Sequence, residues 1–159
     1  MKYLPVGLDI RGKTCVVVGG GPIGTRKVEN LLRAGGSVVL VSPQATRELM
    51  ESAASGTILW AREAYRIEHL YGAFLAVAAT DQPELNAQVV EDATMAGVLV
   101  CDASSASRSE FIFGALHRGE RFTVAVFSDG EDPAASRSMR DRIATFLTED
   151  EEPGSPATE

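Results

Sequence analysis

An apolar run that breaks into glycine and resumes with helical spacing constrains the fold of this chain more than any other feature. Residues 15–18 are CVVV, residues 19–24 are GGGPIG, and an amphipathic helical pattern follows. The spacing of Gly19, Gly21 and Gly24 matches the G-x-G-x-x-G fingerprint of a dinucleotide-binding strand–turn–helix unit. A glycine-rich turn that binds no ligand is the alternative.

Each residue of this turn has a predicted role. Gly19 allows the tight turn off the strand, Gly21 lets a diphosphate approach the backbone, and Gly24 lets the helix pack closely on the strand. Pro22 suits the first helical turn, where its missing N–H is no loss. The free amides around Ile23 and the positive end of the helix dipole favour an anion.

Strand-like and helical segments alternate after the glycine turn. Strands are predicted over residues 37–41, 73–79 and 98–101, with a weaker one over 57–61, and helices over 44–55 and from 82 to 96. This alternation predicts an α/β fold with a Rossmann-like, doubly wound parallel sheet. The alternating residues before Lys13 indicate an additional edge strand.

The pattern changes in the last third of the chain. Residues 110–116 and 121–128 are strand-like and predict a hairpin whose turn is 117–120, and a helix then continues to Leu147. We therefore predict a dinucleotide-binding domain over 1–109 and a hairpin-plus-helix region over 110–147. Residues 148–159 contain five acids and no base, which predicts a disordered acidic tail.

Charge and composition exclude several classes of protein. The 22 acidic residues outnumber the 15 basic ones, so nothing indicates a nucleic-acid-binding surface. No apolar run approaches the roughly 20 residues of a membrane helix. The two cysteines, Cys15 and Cys101, lie in strand-like runs without metal-ligand spacing. We expect buried thiols in a reducing, cytoplasmic compartment and no metal site.

Ligands of open parallel sheets bind beyond the carboxyl ends of the strands. Ser42, Pro43 and Gln44 follow the second strand and Thr80 follows the fourth, so these residues are predicted cofactor contacts. The carboxylate that holds ribose hydroxyls in many such sites is missing after the second strand. The residues therefore leave NAD and NADP open, and Arg47 is either a contact for a 2′-phosphate or a solvated helix residue.

Asp102 is the candidate acid or base. It ends a strand that is predicted to be central, where a nicotinamide ring would lie, although it would equally serve to cap the next loop. His117 is the other titratable candidate, and a histidine in a hairpin is more often simply exposed.

Several separate motifs resemble the family of precorrin-2 dehydrogenase, the N-terminal module of siroheme synthase. The resemblance extends from about Tyr3 to Leu147. Its motifs occur in order at residues 3–6, 8–12, 18–21, 26–28, 78–81, 83–86, 111–113 and 124–126. The turn at 128–132 departs from the family because it contains three acids, and the loop after Asp102 is slightly longer than in the family.

The resemblance implies an NAD-dependent oxidation of precorrin-2 to sirohydrochlorin, with Asp102 as the catalytic residue, and a homodimer formed through the hairpin region. It carries cofactor contacts onto Gly21, Pro22, Ile23, Pro43 and Gln44. Precorrin-2 bears several carboxylates, and Arg108, Arg118 and Arg137 are candidate cations for them. Some members of the family also insert ferrous iron. Three functions stay open: a dehydrogenase alone, a dehydrogenase with ferrochelatase activity, and a non-catalytic NAD(H)-binding module.

Overall fold

The computed structural model describes residues 2–151, with side chains from 2 to 147. The described chain divides into two compact units. The larger unit is Leu4–Phe111, and the smaller unit contains the chain from Ile112 onward together with the first residues of the N-terminus.

The larger unit is a five-stranded parallel sheet with helices. Its strands are β1 (Thr14–Gly20), β2 (Ser37–Ala45), β3 (Leu59–Ala61), β4 (Leu75–Ala78) and β5 (Leu99–Asp102), in the spatial order β3-β2-β1-β4-β5. Its helices are α1 (Pro22–Arg33), α2 (Arg47–Ala54) and α3 (Pro83–Ala96), with short 3₁₀ turns at Ile67–Leu70 and Ala106–Arg108. The predicted Rossmann-like fold is confirmed. The strand order reverses between β1 and β4, where such sheets bind their ligands.

The core lies around β1 and β4, where residues 15–18 and 75–78 are all apolar and buried. Cys15, Val16, Val17 and Val18 are each at most 2% exposed. Successive side chains of a strand point to opposite faces, so both faces of the sheet are covered at β1. Val28 and Leu31 of α1 are buried too, as the helical spacing predicts.

The smaller unit is a hairpin and a long helix. Strand β6 (Ala115–Arg118) pairs antiparallel with β7 (Thr123–Val126), and α4 covers Pro133–Glu151. The predicted hairpin turn begins two residues too early, because His117 and Arg118 pair with Val124 and Thr123 inside the ladder.

The predicted boundary of the acidic tail is also wrong. Helix α4 continues through Glu151, so residues 148–151 are helical, whereas the sequence predicts that they belong to the disordered tail. Glutamate is a good helix former, and an established helix extends more easily than a new one begins. The rest of the predicted tail, 152–159, lies outside the described residues.

The predicted N-terminal edge strand is absent from residues 2–13 of the described chain. Pro5 has no N–H to donate to a ladder, and Leu4 and Val6 are exposed instead of packed. Strand β2 runs to Ala45, four residues beyond its predicted end, and α2 accordingly begins at Arg47. Within the described part of the chain, no helix is long and apolar enough to cross a membrane.

Candidate functional site

A cleft of about 750 Å³ opens at the carboxyl ends of β1, β2 and β4. All of the predicted cofactor contacts except Gly24 line this cleft, namely Gly19, Gly21, Pro22, Ile23, Ser42, Pro43, Gln44 and Thr80. The topology therefore brings the glycine turn, the end of β2 and the loop after β4 to one place. This place is the switch point of the sheet, where a dinucleotide is expected.

The three fingerprint glycines differ in what a side chain would meet. A Cβ atom on Gly19, whose φ is +114°, would overlap the backbone of Ala79, and one on Gly24 would overlap the carbonyl oxygen of Gly19. A Cβ atom on Gly21 would meet nothing within 4 Å. Gly19 and Gly24 are therefore required by the fold itself, whereas Gly21 leaves open space beside the backbone where a diphosphate would approach.

The N-terminus of α1 is tied to the N-terminus of α2. Thr25 donates its backbone N–H to the Gly21 carbonyl (2.9 Å), and its hydroxyl lies 2.9 Å from the hydroxyl of Thr46. Thr46 in turn donates its backbone N–H to the Gly20 carbonyl (2.9 Å) and caps α2 by accepting from Leu49. These bonds connect the glycine turn to the end of β2.

The end of β2 uses its polar groups internally as well as in the cleft. Ser42 is 8% exposed, and its hydroxyl accepts the backbone N–H of Gly20 (3.1 Å). The indole N–H of Trp60 donates to the Ser42 carbonyl (2.9 Å). Pro43 and Gln44 lie within β2, whereas the sequence predicts that both residues follow this strand.

The cleft carries little charge. Among the described residues its lining contains no lysine, arginine or histidine, and its one charged side chain is that of Asp81. Arg47 is not part of the lining, and its Nε lies 2.8 Å from Oε1 of Glu51. A 2′-phosphate would therefore find no side-chain cation in the described lining, so Arg47 is better explained as a solvated residue of α2.

Asp102 ends β5, which is an edge strand of the sheet; the prediction of a central strand is wrong. Its Oδ1 accepts the backbone N–H (2.8 Å) and the hydroxyl (2.6 Å) of Ser104. Its Oδ2 accepts from Nε (2.7 Å) and Nη2 (2.6 Å) of Arg108. Burial raises the pKa of this carboxyl, but the Ser104 hydrogen bonds and the Arg108 ion pair outweigh burial and lower the pKa below its ordinary value.

Asn86, which the sequence reasoning did not single out, connects this carboxylate to the cleft. It is 1% exposed; its Oδ1 accepts the N–H (3.0 Å) and hydroxyl (2.7 Å) of Thr80. Its Nδ2 donates to the Thr80 carbonyl (3.1 Å) and to the Ser104 hydroxyl (3.4 Å). The signal was present: Asn86 is a polar residue on the same buried helix face as Val89 and Ala93.

Tyr65 is a second residue that sequence reasoning missed. It lines the cleft, and its hydroxyl donates to Oδ2 of Asp92 (2.9 Å), a carboxylate that is 6% exposed. Burial and the Asp92 carboxylate raise the pKa of this phenol, which keeps it neutral. No periodicity in residues 62–72 predicts this position.

The three predicted substrate arginines lie in different units. Arg108 ends the 3₁₀ turn after β5 in the larger unit, whereas Arg118 lies on β6 and Arg137 on α4 in the smaller unit. His117 lies beside Arg118 within the ladder. No group of three or more His, Cys, Asp and Glu side chains among the described residues is arranged to hold a metal ion. Both cysteines are free and buried, as expected.

Comparison with known proteins gives three findings. A family described as "Putative NAD(P)-binding" matches residues 6–115. The chain is 37% identical, over 92% of its length, to both Siroheme synthase 1 of Aeromonas salmonicida and the siroheme synthase of Nitrosococcus oceani, and it spans only 31% of each of these proteins. The solved structure of SirC, precorrin-2 dehydrogenase, matches 91% of this chain and 71% of its own, with a TM-score of 0.77 and 27% identity.

Proposed function

Because the chain belongs to the family described as "Putative NAD(P)-binding", we propose that its cleft binds NAD and that the protein oxidises precorrin-2 to sirohydrochlorin. The observation that carries this proposal is the cleft itself. It lies at the switch point of the sheet and presents open backbone at Gly21. The location of the cleft supports NAD binding, and the relatives of the chain support the oxidation of precorrin-2.

The residues of the cleft fit a dinucleotide. The open backbone at Gly21 and the amide of Ile23 at the start of α1 would hold the diphosphate, and the α1 dipole favours its charge. Ser42, Pro43 and Gln44 would contact the adenosine half, and Thr80 lies on the side of the cleft that leads through Asn86 to Asp102. When bound, NAD would supply the hydride acceptor for the oxidation.

We propose NAD as the cofactor in preference to NADP. The described lining offers no lysine, arginine or histidine side chain that could pair with a 2′-phosphate. Removing a phosphate from water without a counter-charge is unfavourable. We expect NADP to bind at least about tenfold more weakly than NAD, a difference of about 1.4 kcal/mol in binding free energy that calorimetric titration measures. Equal affinities would contradict this preference.

Asp102 is the proposed proton acceptor. The oxidation removes a hydride and a proton from the macrocycle, and a carboxylate with a lowered pKa is ionised and able to accept that proton. Asp102 lies two strands from β1, and like the cleft it lies at the carboxyl ends of the strands, which supports this role.

An anaerobic assay with precorrin-2 and NAD tests the function. We expect NADH to form, and Asp102→Ala to lower kcat about 10³-fold while NAD binding is retained. Asp9→Ala, which removes an exposed aspartate paired with Arg11, is the matched control and should leave the rate unchanged. Full activity of Asp102→Ala would contradict the assignment of this residue.

A non-catalytic NAD(H)-binding module is the second candidate. One observation favours it: the Asp102 side chain has no exposed surface, and four donor atoms occupy its carboxylate. This candidate predicts NAD(H) binding without turnover of any reduced tetrapyrrole.

Adding iron and sirohydrochlorin to the same assay distinguishes a dehydrogenase alone from one that is also a ferrochelatase.

We further propose a cytoplasmic homodimer. Leu116, Phe122, Met139 and Phe146 of the smaller unit are exposed, and short strands bury little apolar surface on their own. Light scattering coupled to size-exclusion chromatography tests the dimer, and a monomer at micromolar concentration would contradict it. The two free thiols, Cys15 and Cys101, support a reducing compartment.

A further inference from the structure

The carboxylate of Asp102 cannot touch a substrate as it stands. A carboxylate offers about four acceptor positions, and here Ser104 and Arg108 supply four donor atoms at 2.6–2.8 Å. The side chain has no exposed surface. A proton acceptor must lie within hydrogen-bond reach of the proton that it takes, so one of these partners must leave before Asp102 acts.

The two partners differ in how easily they leave. Ser104 binds through its own backbone and hydroxyl, and the hydroxyl is held in addition by Nδ2 of buried Asn86 (3.4 Å). Arg108 ends a three-residue 3₁₀ turn, and its side chain is 40% exposed. The Arg108 side chain already meets water and can swing away without moving its backbone, whereas Ser104 is held in part by its own backbone N–H, so Arg108 is the partner that leaves more easily.

We propose that a carboxylate of the substrate takes Arg108 from Asp102, so that substrate binding itself frees the Oδ2 atom of Asp102. This exchange rests on the proposed function, which supplies a substrate with several carboxylates. One ion pair replaces another, and the guanidinium fork that binds Oδ2 through Nε and Nη2 suits a substrate carboxylate equally well. Arg108 thus binds substrate and controls access to Asp102, while Ser104 keeps Oδ1 in place.

The exchange predicts a change in the protonation of Asp102. Arg108 and Ser104 lower the pKa of this carboxyl in the free protein, so departure of Arg108 raises it in the complex. The other titratable groups nearby are the Cys101 thiol, Lys27 beside that thiol, and Glu110, whose Oε2 accepts the Val100 N–H (3.1 Å). Burial raises the pKa of Cys101, so the thiol stays neutral in acid, and burial lowers the pKa of Lys27. Arg108 is the charged partner of Asp102 among the described residues.

The pH profiles of precorrin-2 oxidation test the exchange. In each profile the acid limb is the fall in rate toward low pH as Asp102 becomes protonated. The limb of kcat/KM reports the free protein and the limb of kcat reports the complex. In the native chain we expect the kcat limb at the higher pH. Arg108→Gln should raise KM about tenfold, and it should move the kcat/KM limb up to the kcat limb. The substrate's own ionisation is common to both proteins and cancels in this comparison.

A binding measurement supplies a readout independent of turnover. Calorimetric titration with sirohydrochlorin at pH 5, in two buffers of different ionisation enthalpy, measures protons taken up on binding. We expect more uptake by the native chain than by Arg108→Gln. Arg33→Gln removes an exposed arginine paired with Glu29 on α1 and should behave as the native chain does. Arg108→Lys keeps the positive charge without the guanidinium fork, so its KM should lie between that of the native chain and that of Arg108→Gln.

The outcomes separate the exchange from the function on which it rests. Turnover with coincident acid limbs in the native chain, or a fall in kcat of Arg108→Gln with unchanged KM, overturns the exchange alone, because Arg108 would then only support Asp102. Absence of turnover in the native chain overturns both. Separated limbs that merge in Arg108→Gln, together with the lost proton uptake, establish the exchange.

Discussion

The two sites at the carboxyl edge of the sheet are built from different parts of the chain. The cleft beside β1 and β2 is shaped by backbone, with three glycines whose missing side chains leave room for the fold or the ligand. The site at the end of β5 is shaped by side chains, in a network that links Thr80, Asn86, Ser104, Asp102 and Arg108. An added side chain at Gly19 or Gly24 would therefore disturb the fold at the first site, whereas the second site depends on its polar side-chain atoms.

The largest expected effect is at Gly24. A Cβ atom there overlaps the carbonyl oxygen of Gly19, a backbone atom that cannot rotate away, so Gly24→Ala should lower the free energy of unfolding by about 3 kcal/mol. Gly21→Ala is the matched control, because its Cβ meets nothing within 4 Å. We expect Gly21→Ala to keep its stability and lose NAD affinity. Urea unfolding measures the first quantity and calorimetric titration the second, and equal stabilities of the two variants would contradict this view of the cleft.

An intermediate effect is expected at Asn86. Asn86→Ala removes the acceptor of the Thr80 amide and hydroxyl and a donor to Ser104, and it leaves these partly buried groups without that partner. The free energy of unfolding should fall by about 2 kcal/mol. Gln88→Ala, on the exposed face of the same helix, should change it by less than about 0.5 kcal/mol. Similar urea midpoints for the two variants would show that the network contributes little.

The smallest expected effect is the pH dependence contributed by Asp102. Its pKa is lowered in the folded protein, so it stabilises the fold at any pH above its unfolded pKa, and this stabilisation is lost as the pH falls through the folded pKa. At pH 7 the native chain should exceed Asp102→Asn by about 1 kcal/mol in unfolding free energy, because asparagine keeps an acceptor oxygen but loses the charge that strengthens these hydrogen bonds. Urea unfolding at pH 7 and pH 3 should show that this difference shrinks in acid. An unchanged difference would show that ionisation of Asp102 does not stabilise the fold.

The same contrast explains what the sequence can and cannot predict. The fold and the position of the cleft follow from local patterns, since apolar runs, glycine spacing and the alternation of strand and helix are all visible in one dimension. Asp102 was found because it ends a strand. The placement of β5 at the sheet edge was not found, because strand order is set by crossover connections that no local pattern encodes.

Side-chain networks are similarly hidden. Arg108 was predicted to meet the substrate, and nothing in the spacing of residues 102 and 108 shows that a 3₁₀ turn brings its guanidinium back onto Asp102. Asn86 left only a faint signal, a polar residue in an apolar stripe. The ends of elements, such as the continuation of β2 to Ala45, depend on pairing with Gly20 across a bulge and so on the neighbouring strand.

The hydrogen bond from Trp60 to the Ser42 carbonyl makes the protein its own optical reporter. Trp60 is the only tryptophan in the sequence, and its indole is anchored to the strand whose end lines the cleft. Indole emission overlaps the absorption band of reduced nicotinamide, so NADH bound here would quench it by energy transfer. Occupancy of the cleft can therefore be followed in unlabelled protein, in real time, from a single fluorophore whose place in the fold is known.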